Sequence, residues 1–347
     1  MPTIKDVARE AGVSIATVSY VLNNKPAAIS EDTRRLVWDA ARRIGYTPNV
    51  TARNLRASES RLIGYAWHEV PLDQVNPVLD RFTYFLARSA EAAGYHILTF
   101  TYPPDDPLPV YDELIRTGRV DGFVVGGTNL DDPRLEYLIQ RQFPFVAFGR
   151  SNPNWDFCWV DTDGQRGMRD AVDYLVGQGH RRIAIAAWPD ESLAGKFRLL
   201  GYLSGLEAAR IGPRPEWIFR AEHSEISGRE ALAYWWTLPA ELRPTAVVAV
   251  SDLMAIGVMN EAERLGLRVG HDLSVIGFDD APMSQYLRPS LSTLRQPIPE
   301  IAEQVIQILE ALLLERSGQP AAAAVERQVL LPPELIIRDS SGPAPQR

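Results

Sequence analysis

The chain predicts a small all-helical head carrying a helix-turn-helix, joined by a short hinge to a two-lobed α/β core of two doubly wound parallel sheets. Three observations carry this. Three short, capped helical segments fit before residue 47, apolar strands alternate with amphipathic helices from Arg61 onward, and charge is divided between the two regions. At 347 residues the chain is also too long for one simple core.

The charge division bounds the function. Residues 1–61 carry ten Lys/Arg and six Asp/Glu, whereas the remainder carries 26 and 38, so a basic head precedes an acidic body although the net charge is −8. That asymmetry fits a nucleic-acid-binding segment attached to a regulatory body. A makeup of 46% apolar and 23% charged residues excludes disordered and fibrous classes. Cys158, the single cysteine, stands between Phe157 and Trp159 and reads as a buried structural thiol in a reducing compartment. MPTIKDVARE puts charges where a signal peptide needs an apolar run, and no stretch approaches the ~18 apolar residues of a membrane span. A cytoplasmic protein with no membrane partner is expected.

In the head, Thr3 and Asp6 form a capping-box-like start to IKDVAREA, whose Ile4, Val7 and Ala8 share a face. Gly12 follows, suited to the positive φ of a tight turn. Ser14 caps IATVSYVL, with Val18, Val21 and Leu22 inward, and a third helix runs from Ser30 through Leu36, Val37, Ala40 and Ile44 to Gly45. Helix, glycine-containing turn, helix is a DNA-binding pattern. Thr3, Ser14, Thr17, Ser19, Asn23, Ser30, Thr33 and Arg34 cluster at helix starts and on one side, where they suit phosphate oxygens. Ser14 and Ser30 are N-caps as well, and the two roles are compatible because a helix N-terminus is itself an anion site. Pro48 ends the third helix region, and Asn49 caps VTARNLRA. Eight residues cannot hold a helix alone in water, where fewer than ~12–15 are marginal. ASES then reads as a polar linker.

IKDVAREAGVSIATVSYVLNN resembles the DNA-binding head of the lactose-repressor (LacI/GalR) family, and YTPNVTARNLR resembles its hinge. The resemblance implies that Ile15, Ala16 and Tyr20 meet base edges. Ile15 and Ala16 would read thymine methyls or shape by apolar contact, with Tyr20 the polar reader. It implies further that Leu55 wedges into the minor groove at the operator centre. Ala52 would let paired hinge helices approach closely, and Arg53 and Arg56 would contact phosphates. The alternatives are Ile15 as a core residue and Leu55 docked on the core.

RLIGYAW, YHILTF, GFVVGG, PFVAFG, RIAIAAW, AVVAVS and LSVIGFD read as parallel strands, separated by helical segments such as LDRFTYFLARSAEAAG and DLMAIGVMNEAERLG. About ten strands suit two lobes, with ligands beyond the carboxyl ends of the strands. Enzyme fingerprints are missing: no P-loop, no GxGxxG, no GxSxG, and five scattered histidines without metal-ligand spacing. No enzyme activity, metal or cofactor is expected.

The resemblance extends over nearly the whole chain through VDTDGQRG, GHRRIA, WPDESLAGKFRLLGYLSGL, VSDLMAIGVM, LSVIGFDD and PSLSTLRQP. It implies a periplasmic-binding-protein-like core whose inter-lobe cleft is lined by Trp67, Arg198, His223, Ser251, Asp279 and Gln296. Arg198 and Asp279 suit bidentate contacts to neighbouring hydroxyls. The readings as a surface ion pair for Arg198, a turn residue for Asp279 and a core side chain for Trp67 stay open. One departure stands out: Gly149 occupies the position of the lactose repressor's cleft carboxylate, with Arg150 beside it as a further contact. Asn76 and Pro77 are placed to close the cleft.

The expected domains are a head at 1–47, a hinge at 48–60, a core at 61–340 and a tail at 341–347. Within the core, one lobe takes about 61–161 plus 292–323 and the other 162–291 plus 324–340. A helix-turn-helix contact is usually doubled, so a homodimer on a palindromic double-stranded DNA operator is expected. SSGPAPQR lacks the leucine heptads of a coiled-coil tetramer. The reading is a repressor released from its operator by a small sugar, a glycoside or disaccharide. A purine or sugar-phosphate corepressor is the alternative, ahead of a sugar-binding transport receptor.

Overall fold

The computed structural model describes residues 2–22, 29–46, 59–67, 76–103, 105–190, 192–319 and 325–346. Two units, Met1–Ser60 and Arg61–Arg347, separate by internal contacts and are taken one at a time.

The first unit contains α1 (Ile4–Ala11), α2 (Ile15–Leu22) and α3 (Glu31–Arg43). Asp6 opens α1 by accepting from the Thr3 N–H at 2.9 Å and the Thr3 hydroxyl at 2.7 Å. Those bonds hold its carboxyl below the usual range. Gly12 ends the helix at a φ of 63°, the left-handed geometry that favours glycine. Ser14 accepts from the Thr17 N–H at 3.0 Å, and Ser30 from the Thr33 N–H at 3.3 Å. Val7, Val18, Val37 and Ala40 are fully buried at the centre of the unit. Burial of such apolar side chains, at about 1.5–3 kcal/mol for each valine, offsets the ordering of three helices too short to stand alone. Leu36, expected within the apolar run of the third helix, is 45% exposed, because Val37 and Ala40 already fill the narrow inner face.

In the second unit, β1 (Leu62–Ala66), α4 (Pro77–Ala92), β2 (His96–Phe100), α5 (Leu108–Arg116), β3 (Gly122–Gly126), α6 (Pro133–Gln140), β4 (Phe145–Phe148) and β5 (Trp159–Thr162) alternate. They continue as α7 (Gly164–Gly177), β6 (Ile183–Ala187), α8 (Leu193–Ala208), β7 (Ile218–Arg220), α9 (Glu225–Thr237), β8 (Ala246–Ala249), α10 (Asp252–Arg264) and β9 (Ser274–Asp279). β10 (Ser292–Arg295), α11 (Ile298–Arg316), β11 (Gln328–Leu331) and β12 (Glu334–Ile336) complete the unit.

Two six-stranded sheets result, ordered β11-β5-β4-β3-β1-β2 and β12-β10-β9-β8-β6-β7. Every pairing is parallel except β10 with β12. Strands covered on both faces must be apolar throughout, and Ile183–Ala187 is buried at every position. Alternate residues of β3 and β4 feed opposite faces of the first sheet, Phe123 and Phe145 on one, Val124 and Val146 on the other.

The lobe boundaries differ from the expected division. β10 pairs with β9 in the second sheet, and β11 pairs with β5 in the first. The cause is burial: Leu291 and Leu294 belong to the second lobe's core, whereas Val329 and Leu331 pack against the first. α11 follows its Ile298, Ile301 and Val305 into the first lobe. The chain therefore changes lobe after Thr162, around Gln296 and between β11 and β12. Among the described residues no helix is long and apolar enough to cross a membrane.

Candidate functional site

On the head, α2 turns Val18, Val21 and Leu22 inward, which leaves Ile15 and Tyr20 outward at 46% and 43% exposure with Ala16 exposed beside them. Ile15 and Tyr20 therefore stand outside the buried stripe of the unit. Thr3, Ser14, Thr17, Ser30 and Thr33 are bound up in their helix starts, while Ser19 and Arg34 are half-buried. Asn23, Ala52, Arg53, Leu55 and Arg56 lie outside the described residues.

In the core, each sheet reverses its winding between two neighbouring strands, β1/β3 and β6/β8, and a crevice opens beyond their carboxyl ends. A cavity of about 150 Å3 lies there. Of the residues singled out from sequence, Asn76, Arg150, Arg198, His223, Asp279 and Gln296 line it. Trp67 and Ser251 do not. Trp67 sits beyond the end of β1 at 43% exposure, and Ser251 is fully buried as the N-cap of α10, accepting from the Met254 N–H at 3.3 Å. Asn76 likewise caps α4, its Oδ1 accepting from the Leu79 N–H at 3.1 Å.

Arg198 projects from α8 into a buried frame. Its guanidinium lies 3.7 Å from the Phe278 ring centroid and 4.9 Å from that of Trp188, donates to the Val250 carbonyl, and stands 3.9 Å from Asp279. Asp279 closes β9 at a φ of 127°, a conformation L-residues rarely adopt and one that costs about 1–3 kcal/mol. Its Oδ1 accepts from Gln296 Nε2 at 2.8 Å, and Gln296 Oε1 accepts from the Thr162 hydroxyl at 2.7 Å. Two lobe-crossing segments thus hold one carboxylate. Behind it, Asp252 accepts from Thr293, Ser284 and the Ala281 N–H at 2.5, 2.6 and 2.8 Å. Burial raises both carboxyls above the ordinary range, and the charge of Asp279 lifts Asp252 further. His223 stacks on Trp188 at 5.2 Å, and burial with the nearby Arg198 pushes it down to about 4.

Gly149 has a φ of 115°, and a Cβ there would fall 2.5 Å from the Thr128 hydroxyl oxygen. A side chain at this position would be strained by that φ and would have to turn the Thr128 hydroxyl aside. Arg150, next in the chain, donates from Nε to Asp161 at 2.7 Å and lies 3.6 Å from the Phe197 ring centroid, so it bridges from the first lobe to α8 of the second.

Sequence reasoning missed Trp188 and Asp161. The signal for Trp188 was its place at the carboxyl end of a predicted strand; its Nε1 is buried without a hydrogen-bond partner. It also missed Arg134, a buried residue that pairs with Asp132 at 2.6 Å and donates to the Gly126 and Gly127 carbonyls, fixing the loop after β3. Among the described residues no group of three or more His, Cys, Asp or Glu could hold a metal ion. Cys158 is buried, and burial pushes its thiol up.

Two family patterns match: bacterial regulatory proteins, lacI family, over residues 3–49, and a periplasmic binding protein-like domain over residues 172–341. The HTH-type transcriptional repressor CytR of Escherichia coli (strain K12) is 35% identical over 350 residues, covering 99% of this chain and 97% of that protein. A solved regulatory protein of LacI family from Chloroflexus aggregans shares 46% identity over 82% of this chain and 99% of its own, with a TM-score of 0.76. The transcriptional regulator CelR in complex with cellobiose shares 26% over 98% and 100%, with a TM-score of 0.72.

Proposed function

Because the chain belongs to the lacI family of bacterial regulatory proteins, DNA-binding repressors regulated by small-molecule effectors, we propose that it represses transcription until a small sugar enters the core cavity. The observation that carries this reading is the buried Arg198–Asp279 couple facing a cavity walled by Trp188. A guanidinium and a carboxylate on adjacent supports grip neighbouring hydroxyls, while an indole covers the apolar face of a sugar ring. The CelR–cellobiose relative supports a carbohydrate.

At the operator, two copies place α2 in successive major grooves, with Ile15, Ala16 and Tyr20 at base edges. Thr3, Ser14, Thr17, Ser19, Asn23, Ser30, Thr33 and Arg34 meet phosphates, and Leu55 wedges the minor groove with Ala52, Arg53 and Arg56 around it. Effector and operator then oppose each other through a coupling of about 1–3 kcal/mol, the usual allosteric range.

A thermal-shift screen against monosaccharides, disaccharides, sugar phosphates and purines, followed by operator release, tests the reading. Stabilisation by an uncharged sugar that also releases operator DNA supports it. Stabilisation by a purine or sugar phosphate alone, with tighter operator binding, overturns it. Leu55→Ala should weaken specific binding more than nonspecific binding; equal weakening of both removes the wedge.

A further inference from the structure

The ionised side chains of the cavity cancel. Arg150 and Arg198 face Asp161 and Asp279, His223 is neutral at pH 7, and Asn76, Thr128 and Gln296 carry no charge. The Arg150–Asp161 pair completes this balance. Asp161 ends on two donors, Arg150 Nε at 2.7 Å through Oδ2 and the Thr162 N–H at 2.8 Å through Oδ1. Arg150 also lies over the Phe197 ring, 3.6 Å from its centroid, while its Nε stays on Asp161. Each guanidinium has a carboxylate beside it, Arg150 within hydrogen-bond distance of Asp161 and Arg198 at 3.9 Å from Asp279.

We propose that Asp161 is a specificity-determining residue of the cavity: by neutralising Arg150 it excludes phosphorylated ligands and admits uncharged polar ones. The proposal rests on the reading of this cavity as the effector site. A phosphoryl group carries about −1.5 to −2 charges at pH 7. Drawn to Arg150, it would compete with Asp161 for that charge and stand as a second negative group beside a buried carboxylate. Asp252, buried behind Asp279, adds no positive charge to relieve it. An uncharged polyol asks for no such exchange, since its hydroxyls can donate to Asp279 and accept from Arg198 while Asp161 keeps Arg150.

Inorganic phosphate, titrated calorimetrically into the full-length chain, tests this without knowledge of the effector or the operator. Asp161→Asn should bind phosphate at least tenfold more tightly than the parent, and the double variant Asp161→Asn/Arg150→Gln should return to the parent's affinity. No gain in a folded Asp161→Asn chain overturns the proposal, as does a gain that survives loss of Arg150, or a parent that already binds phosphate equally well. Should the asparagine variant fail to fold, Asp161→Ser removes the same charge and carries the same expectations. A failed operator-release screen would count against the repressor reading alone, because phosphate selectivity depends only on the cavity's charges.

Discussion

Single residues in the core are held by burial and charge together. Asp132 and Arg134 form an ion pair with side chains only 3% and 7% exposed, and Arg134 fastens two carbonyls of the loop after β3. Asp132→Ala should therefore cost about 3–5 kcal/mol, the usual penalty for orphaning a buried charge, and a lowered urea midpoint would show it. His223 titrates in the other direction from most buried carboxyls. With a folded pKa of about 4, below the ordinary 6.5, its proton is taken up preferentially by the unfolded chain. Stability from this residue is complete above pH 6.5 and is lost as pH falls toward 4. Asp252 and Asp279, shifted upward by burial, oppose this over the same range, so the parent alone does not isolate the effect. Between pH 6.5 and 4 the parent should lose about 2 kcal/mol more than His223→Phe, discounting for partial exposure of the ring. Parallel urea titrations would measure the difference.

Elements act through their ends. Ser14, Ser30, Ser192, Ser224 and Ser251 each accept a backbone N–H at a helix start, so serine caps recur in both units. Ser30→Ala should lower head stability by about 1 kcal/mol, visible as faster amide exchange across α3 and its partners. Strand ends carry the cavity: β3 delivers Gly127 and Thr128, β4 delivers Gly149 and Arg150, β6 delivers Trp188, and β9 delivers Asp279. Between the lobes, Phe197 on α8 receives Arg150 from the loop after β4. Phe197→Ala should weaken effector binding roughly fivefold, the scale of about 1 kcal/mol for a partly exposed cation–π contact. An unchanged effector affinity would remove this contact from effector binding.

For the whole molecule, the division of charge sets two different responses to salt. A basic head engaging phosphates should lose affinity for operator DNA by roughly 10³-fold or more between 50 and 200 mM salt. Binding of an uncharged ligand in an electroneutral cavity should barely change over that range. Fluorescence anisotropy of labelled operator DNA and calorimetry of the effector would give the two slopes. The head and the core also own separate apolar clusters, centred on Val37 in one and on the two sheets in the other. Effector should accordingly raise the core's unfolding transition and leave the head's in place.

Local rules were enough for the head and for the seven strands with continuous apolar runs. Helix caps at Thr3, Ser14 and Ser30, the turn at Gly12 and continuous apolar runs such as IAIAA are signals carried by neighbours in the chain. β7, β10, β11 and β12 gave no comparable signal: β4 and β8 are as short but apolar and buried throughout, whereas IFR, STLR, QVLL and ELI each include a polar residue and are ordered by the strand beside them. That is why the lobe boundaries at β10 and β11 were misjudged. The sequence by itself determined the fold class and the order of the units, and its family resemblance pointed to Arg198, Asp279 and Gln296, which line one cavity. Only the tertiary structure decided that Ser251 caps a helix, that Trp188 walls the cavity and that Asp161 neutralises Arg150. Those roles depend on which distant strand ends meet, and burial, charge pairing and hydrogen-bond satisfaction are properties of the meeting rather than of any segment.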